Sequence, residues 1–385
     1  MVIKKFFIKS AGLSKIGFTN AIDTTIIAIF WLYLATILTT ESYGEISYFI
    51  AVTALASVVS FLGSGNTLMV YIAKGIKLQA TFYFIVIIVS LISSIIVYGI
   101  FQNIAISIFI MGQGIFSLTT FEILGKKEYN NYSKYIISQR IISVVLAIIL
   151  YYIIGLNGII FGFAFSFLPY FIRLYNVFKD SKIEIKYLKK YFIFMINSYG
   201  FDLSKVFPSY IDKLLIYPLL GFALLGNYQL GIQSLMVLTI IPYTVFQFIL
   251  PRKSSGIDDK KLKTIMVFIS ILLSVLVLFL TPIVFPIIFP QFIQAIEIVQ
   301  IMSIAIIPIT ISFMYIPDFL ANEKSKFVLI GSAIFVFLQI LLIMLFVKSH
   351  GITWAAAAFI IGASAEAIFL VIIKKFVGTN KVKPS

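Results

Sequence analysis

The sequence contains no cysteine and a single histidine, His350, among its 385 residues. The absence of cysteine excludes thiolate catalysis, cysteine-ligated metal sites and disulfide bonds. One histidine leaves very little imidazole for metal binding or acid–base chemistry. Charged residues are also scarce, at 12% of the chain, whereas soluble domains carry about a quarter. This shortage of charge indicates that lipid, and not water, surrounds most of the chain.

Apolar residues make up 61% of the chain, with 39 phenylalanines and 21 tyrosines. This composition is typical of helices that face lipid and of aromatic belts at membrane interfaces. The formal net charge of +15 would favour nucleic acid binding in a soluble protein. Here the basic residues lie between long apolar runs, so membrane topology explains them and we expect no nucleic acid partner. The first run lacks an Ala-x-Ala-like cleavage site and is too long for a signal peptide, so it is interpreted as a retained span.

The apolar runs predict an all-α polytopic membrane protein, because a helix needs roughly 20 apolar residues to cross the hydrocarbon core. We predict about twelve transmembrane helices in this sequence. They cover residues 10–38, 45–72, 79–101, 103–122, 132–154, 157–178, 192–220, 224–250, 263–289, 291–317, 326–347 and 351–374.

The basic residues alternate between the two sides of these predicted spans. If the N-terminus is cytoplasmic, nearly all lysines and arginines outside the spans fall on the cytoplasmic side, and only Lys348 falls on the other. Cytoplasmic loops of membrane proteins carry such an excess of Lys and Arg. The pattern therefore predicts a multi-pass protein of the cytoplasmic (inner) membrane with both termini in the cytoplasm.

The longest polar stretch, from Lys179 to Lys190, separates six predicted spans from six. The predicted organisation is an N-terminal six-helix lobe (1–180), a cytoplasmic linker (181–191), a C-terminal six-helix lobe (192–376) and a cytoplasmic tail (377–385). The halves are weakly similar: Ser42-Tyr43-Gly44 and Leu225-Gly226-Asn227-Tyr228 begin spans two and eight, at an offset of 182 residues. Six spans leave both halves in the same orientation, which predicts a parallel repeat about an axis along the membrane normal.

Charged side chains inside the spans are the main functional signal, because each costs at least about 2.5–3.5 kcal/mol at the membrane centre. The first span carries Lys15, Thr19 and Asp23 at successive i+4 positions, so they share one helix face. The seventh span carries a longer stripe of the same kind, formed by Ser198, Asp202, Lys205, Ser209, Asp212 and Lys213. We expect both stripes to face a bundle interior or a watery cavity.

Two interpretations of these polar residues stay open: a charged cavity between the lobes, and internal ion pairs that hold helices together. In a cavity, cations would suit an anionic solute such as a phosphate or pyrophosphate. The candidate substrate-binding residues are Lys15, Arg140, Lys205, Lys213, Gln229 and Gln233. The candidate proton- or sodium-coupling residues are Asp23, Asp202, Asp212 and Glu297. No catalytic residue, metal site or cofactor is predicted.

Three segments carry a family resemblance. Thr40-Glu41-Ser42-Tyr43-Gly44, followed by an apolar helix to Gly63, resembles the first-to-second-span signature of polysaccharide (Wzx-type) flippases. The segment from Phe289 to Ala295 is similar to their turn into span ten. Asp212 with Leu225-Gly226-Asn227-Tyr228 is similar to their seventh-to-eighth-span pattern. These flippases belong to the multidrug/oligosaccharidyl-lipid/polysaccharide (MOP) exporter superfamily, and the likeness in span number and spacing covers nearly the whole chain.

The resemblance implies a MATE-like fold of two six-helix lobes. It also implies export of a polyprenyl-(pyro)phosphate-linked oligosaccharide, a precursor of O-antigen, capsule, exopolysaccharide or glycoprotein glycan, to the outer leaflet by alternating access. In that family the head group passes a cationic cavity, a role that Lys15, Arg140, Lys205 and Lys213 could serve here. The implied partners are the lipid-linked oligosaccharide, membrane lipids and glycan assembly proteins. The chain departs from the family in its short length and in mixing acids with bases.

Two other functions remain as alternatives to the flippase. A cation-coupled multidrug (MATE-like) exporter would use a membrane acid such as Asp23 for ion coupling. A membrane glycan polymerase or ligase is less favoured, because its catalytic groups generally lie in a sizeable external loop, and the external turns here are only a few residues long. We therefore expect a transporter and not an enzyme.

Overall fold

The computed structural model describes the backbone of residues 2–184, 186–254, 259–322 and 324–377, and their side chains from Lys15 onward except at 187, 205, 251, 254 and 377. Every regular element in these ranges is helical, which confirms the all-α class. The helices are α1 (Val2–Ile37), α2 (Thr40–Phe61), α3 (Ser64–Ala73), α4 (Gln79–Phe101), α5 (Ile104–Gly125), α6 (Tyr129–Ile154), α7 (Leu156–Phe165), α8 (Ile172–Asp180), α9 (Lys186–Ser254), α10 (Lys260–Ile288), α11 (Ala295–Leu320), α12 (Ser325–His350) and α13 (Thr353–Val377). Short 3₁₀ helices, Leu168–Phe171 and Pro290–Phe292, precede α8 and α11.

Eleven helical segments within the described residues are long and apolar enough to cross a membrane. Large apolar side chains on them are widely exposed: Ile95, Phe279 and Ile287 keep 63%, 73% and 78% of their surface. Extensive exposed apolar surface marks contact with a membrane or a partner, and segments of this length fit the membrane. The chain is therefore a multi-pass membrane protein.

Helix α9 accounts for the difference between eleven segments and the twelve predicted spans. Its apolar part, Val206–Leu250, has 45 residues. A straight helix of that size would be about 67 Å long, roughly twice the 30 Å of the hydrocarbon core. The backbone leaves helical geometry inside it at Gly221, where φ is 81° and ψ is 176°, and glycine adopts such a positive φ without steric cost. The segment thus holds two crossings that meet at Gly221.

The predicted second span, residues 45–72, is not one continuous helix. Helix α2 ends at Phe61 and α3 begins at Ser64, because Leu62 and Gly63 adopt φ values of 47° and 69°. A Cβ at Gly63 would lie 2.2 Å from the backbone oxygen of Met195 in α9. Both the positive φ and the close approach of α9 therefore require glycine at this position.

The predicted sixth span, residues 157–178, is also interrupted. Helix α7 ends at Phe165, and Pro169 lies in the first turn of the 3₁₀ helix that leads into α8. Proline lacks a backbone N–H and favours the first turn of a helix. The break turns α8 into a separate short helix, which presents Arg173 to the end of α5.

Backbone proximity divides the chain into two compact units. The first unit comprises Met1–Ile27 and Phe49–Tyr210, and the second comprises Ala28–Tyr48 and Ile211–Ser385. The second half of α1 and the beginning of α2 thus pack with the C-terminal helices. These bounds differ from those of the predicted lobes, 1–180 and 192–376, which stay a prediction about the moving parts.

Candidate functional site

In the first unit, α1 and α6 meet through a row of polar side chains. The Lys15 ammonium donates a hydrogen bond to the side-chain oxygen of Asn130. One turn further, Thr19 Oγ1 donates to Ser133 Oγ at 2.7 Å, and Thr19 is fully buried. Together with Asp23, these residues form one face of α1, as their i+4 spacing predicts, and this face packs on α6.

Asp23 and Arg140 form the most polar contact of this row. Arg140 Nε lies 2.5 Å from Asp23 Oδ1 and Nη2 lies 3.0 Å from Oδ2, a two-point pair that suits the planar guanidinium. The ion-pair interpretation therefore holds for Arg140. Lys15 differs from Arg140, because its partner Asn130 is a neutral amide and leaves the positive charge of Lys15 uncompensated.

The two predicted residues in the first part of α9 are placed unequally. Asp202 Oδ1 accepts a hydrogen bond from Asn66 Nδ2 of α3 at 2.9 Å, so this carboxylate links two helices of the first unit. The side chain of Lys205 lies outside the described residues, and its substrate-binding role stays a prediction.

In the second unit, Asp212 and Lys213 form one buried group, with exposures of 1% and 4%. Asp212 Oδ1 accepts from the Lys213 backbone N–H at 2.8 Å and lies 3.2 Å from Lys213 Nζ. Asp212 Oδ2 accepts from the Tyr228 hydroxyl at 2.8 Å. Because an uncompensated charge is costly to bury, these contacts are what hold Asp212 inside the unit. Two residues that the sequence assigns to different roles are therefore direct partners.

Gln229 and Gln233 lie one turn apart on the second arm of α9, each 3% exposed. The side-chain carbonyl oxygens of both have no hydrogen-bond partner among the described residues. Buried polar atoms are normally satisfied by protein or by water. These two oxygens are therefore available to a water, a cation or a solute donor, as a substrate or ion pathway requires.

Glu297 lies apart from the Asp212 group in character. It occupies the first turn of α11 and is exposed, whereas Asp212 and Lys213 are buried. A carboxylate in the first turn is stabilised by the positive end of the helix dipole, which accounts for its position. Its coupling role stays a prediction.

Sequence reasoning missed a buried acid at the end of α5. Glu122 is paired with Lys126 at 2.6 Å and with Arg173 of α8 at 3.3 Å, while its own side chain is 3% exposed. The Tyr83 hydroxyl of α4 donates to it at 3.1 Å. Four segments of the first unit thus converge on one carboxylate.

Asp318 has the same position at the end of α11 in the second unit. It pairs with Lys253 at 3.0 Å, with Lys263 at 2.9 Å and with Lys374 of α13. The offset from Glu122 to Asp318 is 196 residues. The same offset relates Gly155 and Gly351, which both adopt a positive φ, 73° and 85°. This shared register supports the internal repeat, and it is the signal that would have pointed to both acids.

No protein-family model matches the chain, and no curated protein matches it significantly in sequence. Solved structures do match it. One is the "Lipid II flippase MurJ, inward closed conformation", with a TM-score of 0.71, 14% identity and coverage of 93% of this chain and 87% of that one. Another is an inward-facing "multidrug resistance MATE family transporter of the MOP superfamily", at 0.66, 13%, 92% and 94%. A third is a MATE protein in complex with MaD5, at 0.62, 12%, 95% and 95%.

At these identities the likeness establishes architecture. The chain has the fold of the MOP exporters, as its resemblance to that superfamily predicts. The structural neighbours comprise a flippase and drug transporters, so the fold alone does not choose between a lipid-linked solute and a soluble one.

Proposed function

We propose that this protein is a transporter that flips a polyprenyl-(pyro)phosphate-linked oligosaccharide from the cytoplasmic to the outer leaflet. The observation that carries the proposal is the polar face between α1 and α6. On that face Asp23 and Arg140 neutralise each other, while Lys15 keeps an uncompensated positive charge at the start of an apolar helix. A phosphate-bearing head group would gain a charge-assisted bond there.

The mechanism we propose is alternating access, by rocking of the two six-helix lobes. The oligosaccharide head would move through protein while the polyprenyl tail stays in lipid, so no covalent step is needed. The loop charges support a location in the cytoplasmic membrane with both termini inside, because the basic residues would then meet the cytoplasm.

The direct test uses proteoliposomes that contain the purified chain and a fluorescently labelled lipid-linked oligosaccharide. Export is measured as label that becomes accessible to a membrane-impermeant quencher on the far side, with and without an ion gradient. Transfer above protein-free liposomes supports the proposal. Substrate that stays inaccessible under both conditions contradicts it.

A pair of matched variants tests the role of Lys15. Lys15→Gln removes the uncompensated charge, whereas Lys134→Gln removes one exposed charge from α6, the helix that Lys15 contacts. We expect Lys15→Gln to slow transfer about tenfold or more, since one lost charge-assisted bond is worth about 1.5–3 kcal/mol. Lys134→Gln should transfer at the unsubstituted rate. Equal rates in both variants would remove Lys15 from the substrate path.

A cation-coupled multidrug exporter is the second candidate, and one observation favours it. The buried Asp212 carboxylate lies on the same helix as two buried amide oxygens without partners, Gln229 and Gln233. Oxygen ligands of this kind suit sodium or a proton-bearing water. Efflux of a fluorescent dye that depends on a sodium or proton gradient and is lost in Asp212→Asn would select this function over the first.

A further inference from the structure

A cavity of about 630 Å³ opens in the first unit beside the end of α5. Its wall is formed by the turn before α4, the end of α5, α6, and the 3₁₀ helix with α8. This cavity lies apart from the polar face between α1 and α6, because none of Lys15, Thr19, Asp23 or Arg140 lines it.

The cavity carries an excess of positive charge. Lys77, Lys126 and Arg173 line it, against the acids Glu122 and Asp180, which leaves one positive charge. Glu122 is buried and holds both Lys126 and Arg173 in place. Lys77 is exposed and forms no ion pair with a described residue. The fixed pair and the available lysine together provide a site for a group with a single negative charge.

Neutral polar groups complete the wall. The Tyr135 hydroxyl accepts a hydrogen bond from Arg173 Nη1 at 3.4 Å, which leaves its own proton to donate to an anion oxygen. The side-chain oxygen of Gln79 is buried without a hydrogen-bond partner among the described residues. It is therefore an acceptor that a hydroxyl on the ligand would satisfy.

The surface next to the cavity is apolar. Leu168, Ile172 and Tyr175 lie on the 3₁₀ helix and α8, the same segment that carries Arg173, and are 53%, 74% and 72% exposed. A free phosphate ion would gain nothing from such a surface. The acyl chains of a lipid would be placed against it when the head group enters the cavity.

We propose that this cavity binds the phosphodiester head group of an anionic membrane lipid that also carries a hydroxyl, of the phosphatidylglycerol type. The single negative charge of that head group equals the excess positive charge of the wall. The hydroxyl matches the Gln79 oxygen, and the chains match the exposed apolar surface of α8. The site is distinct from the proposed transport path, so it stands or falls independently of the proposed function.

The test measures binding of phosphatidylglycerol and phosphatidylcholine to the purified full-length chain in detergent, by native mass spectrometry. Lys77→Gln removes a cavity charge, and Lys74→Gln removes a charge three residues earlier in the same turn, outside the cavity. We expect phosphatidylglycerol to bind more tightly than phosphatidylcholine. Lys77→Gln should weaken phosphatidylglycerol binding about fivefold, as one basic residue near an anionic lipid contributes, and Lys74→Gln should leave it unchanged.

Inorganic phosphate provides the second arm. If phosphate at millimolar concentration binds without the lipid and displaces phosphatidylglycerol, the site recognises a soluble anion and the lipid proposal fails. Equal binding of the two lipids, or equal loss in both lysine variants, would also overturn it. Both variants are checked for unchanged melting temperature, and because both lysines are exposed we expect none to change.

Discussion

Gly44 of α2 and Gly226 of α9 contact each other reciprocally inside the second unit. A Cβ on Gly44 would lie 1.9 Å from the backbone oxygen of Phe222, and a Cβ on Gly226 would lie 1.9 Å from that of Thr40. The offset from Thr40 to Phe222 equals that from Gly44 to Gly226, at 182 residues. The two weakly similar segments of the halves therefore meet face to face, in the self-complementary way that a two-fold axis produces.

The glycine crossing should not tolerate a methyl group. Gly44→Ala and Gly226→Ala each place Cβ on a backbone oxygen that no rotamer change can move, and overpacking of this kind costs about 1–3 kcal/mol. We expect both variants to lower the melting temperature in detergent. Helix propensity alone predicts the opposite, because alanine favours a helix interior by about 1 kcal/mol over glycine.

Gly99→Ala is the matched control for that experiment. Gly99 lies in α4, and a Cβ there would meet no atom within 4 Å. This variant should keep or raise the melting temperature. If all three variants behave alike, the crossing does not stabilise the second unit.

Asp318 should be essential to the stability of the second unit. Asp318→Asn leaves Lys253, Lys263 and Lys374 without their shared carboxylate. Loss of one partner of a buried ion pair costs about 3–5 kcal/mol. We expect a large fall in melting temperature, or loss of folded protein from the membrane, measured by fluorescence-detected gel filtration.

The Arg252–Asp259 pair is the control for Asp318. Its side chains are 39% and 10% exposed, and hydrogen bonding to Asp259 raises the pKa of Arg252, so the pair stays ionised at ordinary pH. Surface pairs contribute little. Asp259→Asn should therefore leave the melting temperature nearly unchanged, and a fall as large as that of Asp318→Asn would contradict the buried-acid argument.

The Asp23–Arg140 pair can be tested by charge exchange. Asp23→Asn and Arg140→Gln each leave one charge on the α1–α6 face without its partner, so both should lower the melting temperature. The exchanged double variant, Asp23→Arg with Arg140→Asp, should recover part of that loss. Recovery of stability without recovery of transport would show that the positions of the charges matter to the substrate. Failure of the exchange to restore any stability would argue against a direct pair.

Tyr228→Phe should cost more stability than Tyr43→Phe. Both tyrosines are buried, but the Tyr228 hydroxyl donates to the charged Asp212 at 2.8 Å, whereas that of Tyr43 donates to the neutral backbone oxygen of Trp31 at 3.3 Å. Bonds to charged groups contribute about 1.5–3 kcal/mol against 0.5–1.5 for neutral ones. The two melting temperatures measured side by side check this order, and a reversed order would sink the explanation of how Asp212 is stabilised.

Much of the fold was predictable because its dominant force is written along the chain. Apolar run length fixes the spans, and the basic loops fix their alternation. The breaks were harder to see. Gly221 and Gly63 are two of 22 glycines, and only the backbone shows that each adopts a positive φ.

The polar residues were predictable as a set but not in their pairing. The i+4 spacing of Lys15, Thr19 and Asp23 identifies a helix face, yet it cannot say that Arg140 of a distant helix lies opposite. Glu122 was missed because its cationic partner Arg173 lies 51 residues away, behind a break in the sixth span. Sequence periodicity reports faces, whereas ion pairs depend on which faces meet.

The register of the two halves changes along the chain, and the change has a location. The offset is 182 residues at the glycine crossing and 196 at the buried acids. Between these points α4 has 23 residues and its counterpart α10 has 29, followed by a 3₁₀ turn. The six extra residues lengthen α10 by about 9 Å, which a bilayer accommodates by tilt or by projection of the helix end. An ancestral duplication followed by growth of one hairpin would leave this pattern, with the old symmetry kept at the glycines and lost at the α10–α11 turn.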